Sequence, residues 1–346
     1  MPNTPDMLLV VDGNNVAWAG FHALRRPMGA DTPEKLVRAA LLGLTQSVIG
    51  FAVRAGEPPD AAPSRQAGQQ GLFDEPRQRT SGLIVAFDAG RPLRRRGLYP
   101  PYQTGRESDG SFMEYEKHVV EGIRQFSEVA AWLPLQLLRG ANTEADDLIA
   151  AAVLQSGAAE VRICSTDRDF LQLVDDRVSI YSPVKRLVIT PQNFAEATAP
   201  KSSDGTATPF PRERYLDYRI ASGDASDNLP GIPGVGTLTA AKLVAAAPID
   251  EYLAEPARIT SVLGRKSARI DAAFTSSEAA ETIHRNRELM DLRLAARNYS
   301  SLDEYRRQGS WDETSVRAWV KDQRVRVSKD RITEYSVRMR VTFVLK

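Results

Sequence analysis

Residues 8–15 read Leu-Leu-Val-Val-Asp-Gly-Asn-Asn, an apolar run that stops at an acidic residue and a glycine. This pattern is typical of a short buried strand that ends in a turn. It recurs as LIVAFDAG at residues 83–90 and as VRICSTDRDF at residues 161–170. Stretches with helical spacing of apolar residues separate the three runs. The alternation predicts an α/β fold with a mostly parallel sheet covered by helices.

The elements follow from the same spacing rules. Strands are predicted at residues 8–11, 83–87, 135–138 and 161–164, and helices at residues 33–53, 112–129 and 144–154. Thr190 followed by Pro191 resembles an N-cap and the proline that opens a helix. From Arg212 onward the chain becomes helical and predicts a second, smaller module.

Acidic residues stand where the predicted strands end. The carboxyl ends of parallel strands line one crevice, so these side chains should meet there. Clustered carboxylates must take up protons or bind cations, and oxygen ligands favour Mg²⁺, with Mn²⁺ as the alternative. We expect two or more ions. The candidate ligands are Asp12, Asp88, Glu144, Asp146, Asp147, Asp167, Asp169, Asp224 and Asp227.

Each acidic position also has an ordinary structural interpretation. Asp12 could be a turn residue whose side chain bonds its own backbone. Residues 143–146 fit a helix capping box, and Asp224 and Asp227 could be turn formers. The metal-site interpretation is favoured because gathering so many like charges without a cation would destabilise the fold.

Composition restricts the class of protein. The chain has 346 residues, and 45 Lys and Arg against 44 Asp and Glu give a net charge of +1. One cysteine, Cys164, excludes a disulfide framework. The N-terminus lacks the pattern of a signal peptide, and we expect no apolar run of membrane-spanning length. These features predict a cytoplasmic protein without membrane contact, and we expect a monomer.

Positive charge is unevenly distributed. Five arginines and no acidic residue lie between residues 89 and 106, which suits contact with a polyanion. The stretch GIPGVGTLTAAKL at residues 231–243 places glycines before a helix, whose free N–H groups attract a phosphate. The candidate DNA-binding residues in these two stretches are Arg94, Arg95, Arg96, Gly231, Gly234, Val235, Gly236, Thr237 and Lys242.

The order of VVDGNN, FDAG, YQTGR, TEADDLIA, STDRDF and SGDASDNLPGIPGVG resembles the 5′ nuclease family, which includes phage flap endonucleases and the N-terminal domain of bacterial family A DNA polymerases. The similarity runs from about residue 8 to residue 294. It implies a PIN-like nuclease core, a helix-three-turn-helix module that grips duplex DNA, and K⁺ held by carbonyls of that turn. It assigns Asp12, Asp88, Glu144, Asp146 and Asp147 to a first metal cluster, and Asp167, Asp169, Asp224 and Asp227 to a second.

One position departs from the family pattern. Gln103 stands where the family normally has a lysine that helps neutralise the scissile phosphate. Its amide donates a hydrogen bond but carries no charge, so either cleavage is slower or a nearby arginine substitutes. We place Arg106 in the catalytic group for this reason. Tyr102 could stack on an unpaired base or belong to the core.

A proline-flanked stretch, residues 56–82, lacks periodicity and predicts a mobile loop. Within it, Gln69, Leu72 and Phe73 resemble the peptide with which bacterial replication proteins dock into a sliding clamp. An apolar pair in a polar loop is typical of a partner site, although so short a motif also arises by chance.

The predicted organisation is a nuclease core over residues 1–205, with a gateway at 89–130, a DNA-binding domain over 206–294 and a basic appendage over 295–346. No polymerase region is visible, so we expect a stand-alone enzyme. The predicted function is a structure-selective 5′ nuclease that hydrolyses DNA at 5′ ends and flaps in replication and repair. The alternatives are a metal-dependent ribonuclease with the same acidic crevice and a weakly active, clamp-tethered DNA-binding protein.

Overall fold

The computed structural model describes residues 7–54, 80–105 and 110–322, together with 327–328 and 331–332. The helices are α1 Gly13–Arg25, α2 Pro33–Arg54, α3 Leu93–Leu98, α4 Gly110–Val129, α5 Ala145–Gln155, α6 Phe194–Thr198, α7 Tyr215–Ser222, α8 Thr237–Ala246, α9 Glu251–Ala254, α10 Ala257–Leu263, α11 Ala268–Thr275, α12 Glu278–Met290, α13 Leu292–Ala296 and α14 Glu313–Asp322. The strands are β1 Met7–Asp12, β2 Thr80–Ala86, β3 Gln136–Leu138, β4 Glu160–Cys164, β5 Val178–Ser182, β6 Leu187–Ile189, β7 Gly223–Asp224, β8 Leu229–Pro230, β9 Arg306–Gln308, β10 Val327–Ser328 and β11 Arg331–Ile332.

Seven strands form one sheet in the order β6-β5-β4-β1-β2-β3-β9. The five central strands, from β5 to β3, pair in parallel, whereas the outer strands β6 and β9 pair antiparallel to their neighbours. The α/β fold with a mostly parallel sheet is therefore confirmed. Because β1, β2 and β4 are adjacent, their carboxyl ends meet on one rim, where the acidic residues follow.

Both faces of the sheet are covered at its centre, which explains why the central strand β1 is apolar up to Asp12 rather than alternating. Val11 and Val85 face a layer made by α1, α2 and α4. Val10 and Ile84 face the other way, against α5 and the helices that follow residue 210. One continuous apolar cluster therefore joins the sheet to the helical module. The domain boundary near residue 205 stays a prediction.

The expectation that no apolar run has membrane-spanning length is wrong for helix α2. Residues Pro33–Ala52 have the length and mean hydropathy of a membrane span, although half of this stretch is buried within the fold. Its buried side chains, including Leu44 and Val48, pack in the layer shared with α1 and α4. The burial is that of a core helix in a folded domain.

The strands predicted at residues 8–11, 83–87, 135–138 and 161–164 are present, as are the three predicted long helices. The helix predicted to open at Thr190-Pro191 is wrong. Thr190 donates its backbone N–H to the Asn193 side chain at 2.8 Å, so these residues form a turn and α6 begins only at Phe194.

Candidate metal centre

Asp12 is held at the centre of the rim by its neighbours. It caps α1, accepting the Asn15 N–H at 3.1 Å, and it accepts the Ser165 hydroxyl at 2.7 Å. Only 5% of the residue is exposed. The next strand brings Asp88, whose carboxylate accepts the Ala145 N–H at 2.7 Å. This bond ties the end of the β2 segment to the start of α5.

The electrostatics of this group favour a bound cation. Burial, only partly offset by the hydrogen bonds from Ser165 and Asn15, raises the pKa of Asp12 to about 7. Burial also raises the pKa of Asp146 well above its usual value, and repulsion from Asp167, Asp12 and Asp88 raises it further. A divalent cation would relieve the repulsion and restore the charged forms. Asp12, Asp88, Asp146 and Asp167 therefore interact electrostatically, and their role as metal ligands stays a prediction.

A second acidic group lies beside the first. Asp169, Asp224 and Asp227 each offer a carboxylate oxygen, and these oxygens lie within 4.8 Å of one another. Burial followed by repulsion from Asp167 raises the pKa of Asp169 to about 7. Asp167 thus acts electrostatically on both groups. An oxygen-only donor set at this spacing fits a hard divalent cation.

Arg219 contributes positive charge to the second group. Its guanidinium donates to Asp169 at 2.7 Å and also forms an ion pair with Asp224. Burial alone would raise the pKa of Asp224, but Arg219 and the hydrogen bonds from Ser226 lower it. Arg219 was not among the residues predicted from the sequence. Its only signal was an arginine on the helix that leads into the acidic loop.

Glu144 and Asp147 pair with a different internal cation, the buried Arg95. Arg95 donates to Asp147 at 2.7 Å and forms an ion pair with Glu144. The same side chain donates from Nε to the Leu289 carbonyl at 2.8 Å. Asp147 is buried and points about 100° away from Asp146 around the helix axis. Repulsion from Asp167, Asp12 and Asp88 connects Asp146 to the first group.

Arg95 and Tyr102 are too deeply buried to contact DNA directly. Arg95 is only 2% exposed and Tyr102 only 4% exposed. The Tyr102 hydroxyl lies 3.3 Å from Asp227 and 3.4 Å from Glu144, within hydrogen-bonding distance of both carboxylates. In this arrangement the phenol ring is a core side chain and the guanidinium is internal. The expectations of direct phosphate contact by Arg95 and base stacking by Tyr102 are therefore corrected.

Gln103 lies against the second acidic group. Its side-chain amide donates to the Asp227 carboxylate at 3.0 Å and to the Tyr102 hydroxyl at 3.0 Å. Its backbone N–H donates to the Asp227 carbonyl at 3.0 Å. Asn228 completes the contact by donating to the Pro101 carbonyl at 3.0 Å. The turn at residues 101–104 is thereby attached to the acidic loop.

The glycine-rich turn follows directly and is shaped by close backbone packing. A Cβ atom at Gly231 would lie 2.4 Å from the Ala221 carbonyl oxygen, so this position requires glycine. Gly234 has a φ of 82°, whereas Gly236 precedes α8 and has open space around it. Thr237 and Lys242 are exposed on α8, while the Val235 side chain is buried. The start of α8 is therefore accessible to an anion.

Arg94 is exposed, and its guanidinium lies 3.5 Å from the Glu288 carbonyl oxygen, at the limit of a hydrogen bond. Arg96 is half-buried. Arg106 lies outside the described residues, as do Gln69, Leu72 and Phe73 of the clamp-like motif.

Known proteins share sequence similarity with most of this chain. Residues 71–199 match the family described as the 5′-3′ exonuclease, N-terminal resolvase-like domain. This chain resembles the 5′-3′ exonuclease family. DNA polymerase I of Mycobacterium tuberculosis is 30% identical over 330 residues, which are 94% of this chain and 31% of that protein. DNA polymerase I of Bacillus subtilis is 30% identical over 261 residues, 75% of this chain and 25% of that protein.

Solved structures show the same fold at low sequence identity. A structure of T5 5′-exonuclease with bound zinc ions has a TM-score of 0.61 and 19% sequence identity. The match covers 86% of this chain and 96% of the T5 chain. A complex of bacteriophage T5 flap endonuclease with DNA and metal ions has a TM-score of 0.58 and 20% identity over the same shares. The chain spans about a quarter to a third of the length of the curated polymerases that it matches.

Proposed function

We propose that this chain is a metal-dependent, structure-selective 5′ nuclease that hydrolyses DNA phosphodiester bonds at 5′ ends and 5′ flaps. The observation that carries the proposal is the cluster of Asp169, Asp224 and Asp227, whose carboxylate oxygens lie within 4.8 Å of one another. Asp167 repels both Asp169 in this cluster and Asp146 in the first group. A nuclease needs such a concentration of carboxylates because two cations must approach the same phosphate. The family resemblance and the glycine-rich turn beside the rim support DNA as the substrate.

The roles of the acidic residues follow from their positions. Asp12, Asp88, Asp146 and Asp167 would hold one divalent ion, and Asp169, Asp224 and Asp227 would hold a second. Mg²⁺ is the proposed ion, and Mn²⁺ should replace it because both take oxygen ligands. Bound ions would activate water and stabilise the leaving oxygen of the phosphodiester. The products would carry 5′ phosphate and 3′ hydroxyl groups.

The protein's own residues have two further tasks. Ser165 and Asn15 orient the Asp12 carboxylate, and Arg219 keeps the second acidic group assembled before ions arrive. The start of α8 would bind a phosphate of the duplex, which positions the substrate without reading its sequence. K⁺ would be held by carbonyls of the adjacent turn. Affinity for DNA should therefore fall as salt rises.

The proposal also covers the partners of this chain, its oligomeric state and its location. DNA is the proposed partner, and a sliding clamp is the proposed protein partner through Gln69, Leu72 and Phe73. Deleting residues 69–73 should abolish clamp binding in a pull-down with the purified clamp; unchanged binding would exclude this role. A cytoplasmic monomer acting in replication and repair is the proposed state.

The decisive experiment measures cleavage of an end-labelled 5′ flap with Mg²⁺. Wild type should cleave at the junction, and Asp146→Asn should lose ~10²-fold or more in rate, because removing one stabilising charge has this effect in comparable sites. The matched control is Asp176→Asn, which changes an exposed acid just before β5, at the amino ends of the parallel strands and not at the rim, and it should cleave normally. A matched RNA flap tests the ribonuclease alternative. Preference for RNA, or cleavage unaffected by Asp146→Asn, would refute the proposal.

A further inference from the structure

The segment that follows the helical module returns to the sheet and contacts the loop that leads into α5. We define this segment as the strap, residues 299–312. Its strand β9 pairs antiparallel with β3, with Arg306 opposite Leu138. The Arg139 N–H then donates to the Tyr305 carbonyl at 2.9 Å. The strap therefore extends the sheet up to Arg139, at the start of the loop that leads into α5.

Tyr305 packs directly on that loop. A Cβ atom at Gly140 would lie 2.2 Å from the Tyr305 ring, so the ring occupies the place of a side chain. Such close approach requires glycine at this position. The rings of Tyr305 and Tyr299 also meet edge to face, with centroids 5.3 Å apart. The loop thus lies beneath an aromatic pair supplied entirely by the strap.

The loop transmits this contact to the metal ligands. Thr143 closes it, accepting the Gly140 N–H at 3.1 Å, and the Thr143 carbonyl accepts the Ala89 N–H at 3.0 Å. Two residues later, Ala145 donates its N–H to Asp88 at 2.7 Å. A displacement of the loop would therefore move Asp88 and the first turn of α5 together.

Tyr299 extends the contact to the buried ion pair. Gln155, at the end of α5, donates its side-chain amide to the Tyr299 carbonyl. Burial and the nearby Asp147 carboxylate raise the pKa of Tyr299 to about 12. The strap thus contacts the end of α5 as well as the loop that precedes this helix.

We propose that the strap is part of the metal centre, and that Tyr305 is a positioning residue that holds the 140–143 loop, and through it Asp88 and Asp146, in the geometry needed to bind divalent ions. Tyr305 touches no reacting group itself. The inference rests on the proposed function only in its consequence for cleavage, because loop order and metal affinity are measurable without substrate.

The test compares Tyr305→Ala with Trp319→Ala. Trp319 lies on α14 and packs against the opposite core layer, so its loss removes a large ring without touching the loop. Tyr305→Ala should speed hydrogen exchange at the Thr143 and Ala145 amides by ~10-fold or more, since these bonds depend on the loop. Its affinity for Mn²⁺, by calorimetry, should fall by ~10–100-fold, the usual effect of losing an outer support of a metal ligand.

Two further variants separate positioning from general loosening. Tyr305→Phe keeps the ring and should show wild-type hydrogen exchange and wild-type affinity for Mn²⁺. Gly140→Ala should reproduce the defect, and combining it with Tyr305→Ala should be no worse than either alone, because the clashing partner is then gone. Wild-type exchange and Mn²⁺ affinity in Tyr305→Ala, or equal changes in Trp319→Ala, would overturn the inference. A wild-type protein that fails to cleave flaps would refute the proposed function and leave the exchange result valid.

Discussion

Gln103 donates its side-chain amide to the carboxylate of Asp227 at 3.0 Å, which makes a neutral group the direct neighbour of the second acidic cluster. Gln103 itself has a φ of 56°, an uncommon conformation outside glycine. The carboxylate is thereby oriented but not neutralised. Arg219 supplies positive charge to the same cluster through Asp169 and Asp224.

This contact predicts the effect of changing Gln103. Gln103→Lys should raise the single-turnover rate of flap cleavage by ~10-fold or more, because a cation replaces a neutral donor where charge develops. Gln103→Leu should lower the rate, since both side-chain hydrogen bonds are lost. Met113→Lys adds a charge to the exposed face of α4 and is the control. An equal gain from Met113→Lys would attribute the effect to attraction of DNA rather than to this site.

The buried ion pair predicts a large stability difference between neighbouring arginines. Arg95→Met leaves Glu144 and Asp147 without their cation and should cost about 3–5 kcal/mol, the usual effect of breaking a buried pair on one side. Arg94→Met changes an exposed side chain and should leave stability nearly unchanged. Urea unfolding of both variants measures this. Similar midpoints for the two would contradict the structural role of Arg95.

The glycine-rich turn predicts a contrast between two glycines. Gly231→Ala should destabilise the fold by about 1–3 kcal/mol, because its Cβ would overlap the backbone of residues 221–222. Gly236→Ala has open space and should fold normally, yet it should weaken DNA binding by obstructing the start of α8. Thermal unfolding and fluorescence anisotropy with Ca²⁺ separate the two effects. Normal stability in Gly231→Ala would show that the turn can shift.

The raised pKa values of Asp12 and Asp169, both about 7, predict how stability of the metal-free protein depends on pH. Unfolded carboxyls titrate near pH 4, so between about pH 4 and pH 7 the folded state binds more protons than the unfolded state. The free energy of unfolding should therefore be greatest below this window and fall as pH rises through it.

Calorimetric melting in EDTA from pH 5 to pH 8 measures this dependence. The melting temperature should decrease with pH in wild type, decrease less in Asp12→Asn, and recover at pH 8 when Mg²⁺ is added. A melting temperature that rises over the same range in EDTA would contradict the assignment of Asp12 and Asp169 as the groups responsible.

Much of the fold was readable from local patterns. The runs at residues 8–11, 83–87 and 161–164 predicted strands because the doubly covered centre of the sheet makes them mostly apolar, and each was followed by an acid. β9 could not be anticipated, since its residues Arg306–Gln308 are exposed and polar. It forms only because the edge of β3 offers unpaired backbone groups.

The chain order of apolar runs and acids was enough to predict a mostly parallel sheet with carboxylates along one rim, because strand period and strand-end chemistry are local properties. Which acids meet depended on packing between distant segments. The helical angle separates Asp146 from Asp147, but only the burial of Arg95 from α3 decides that Asp147 is paired internally. The same holds for three other contacts, those of Gln103 with Asp227, Arg219 with Asp169 and Tyr305 with Gly140. Each joins segments that are distant in sequence and forms only when the whole core has packed.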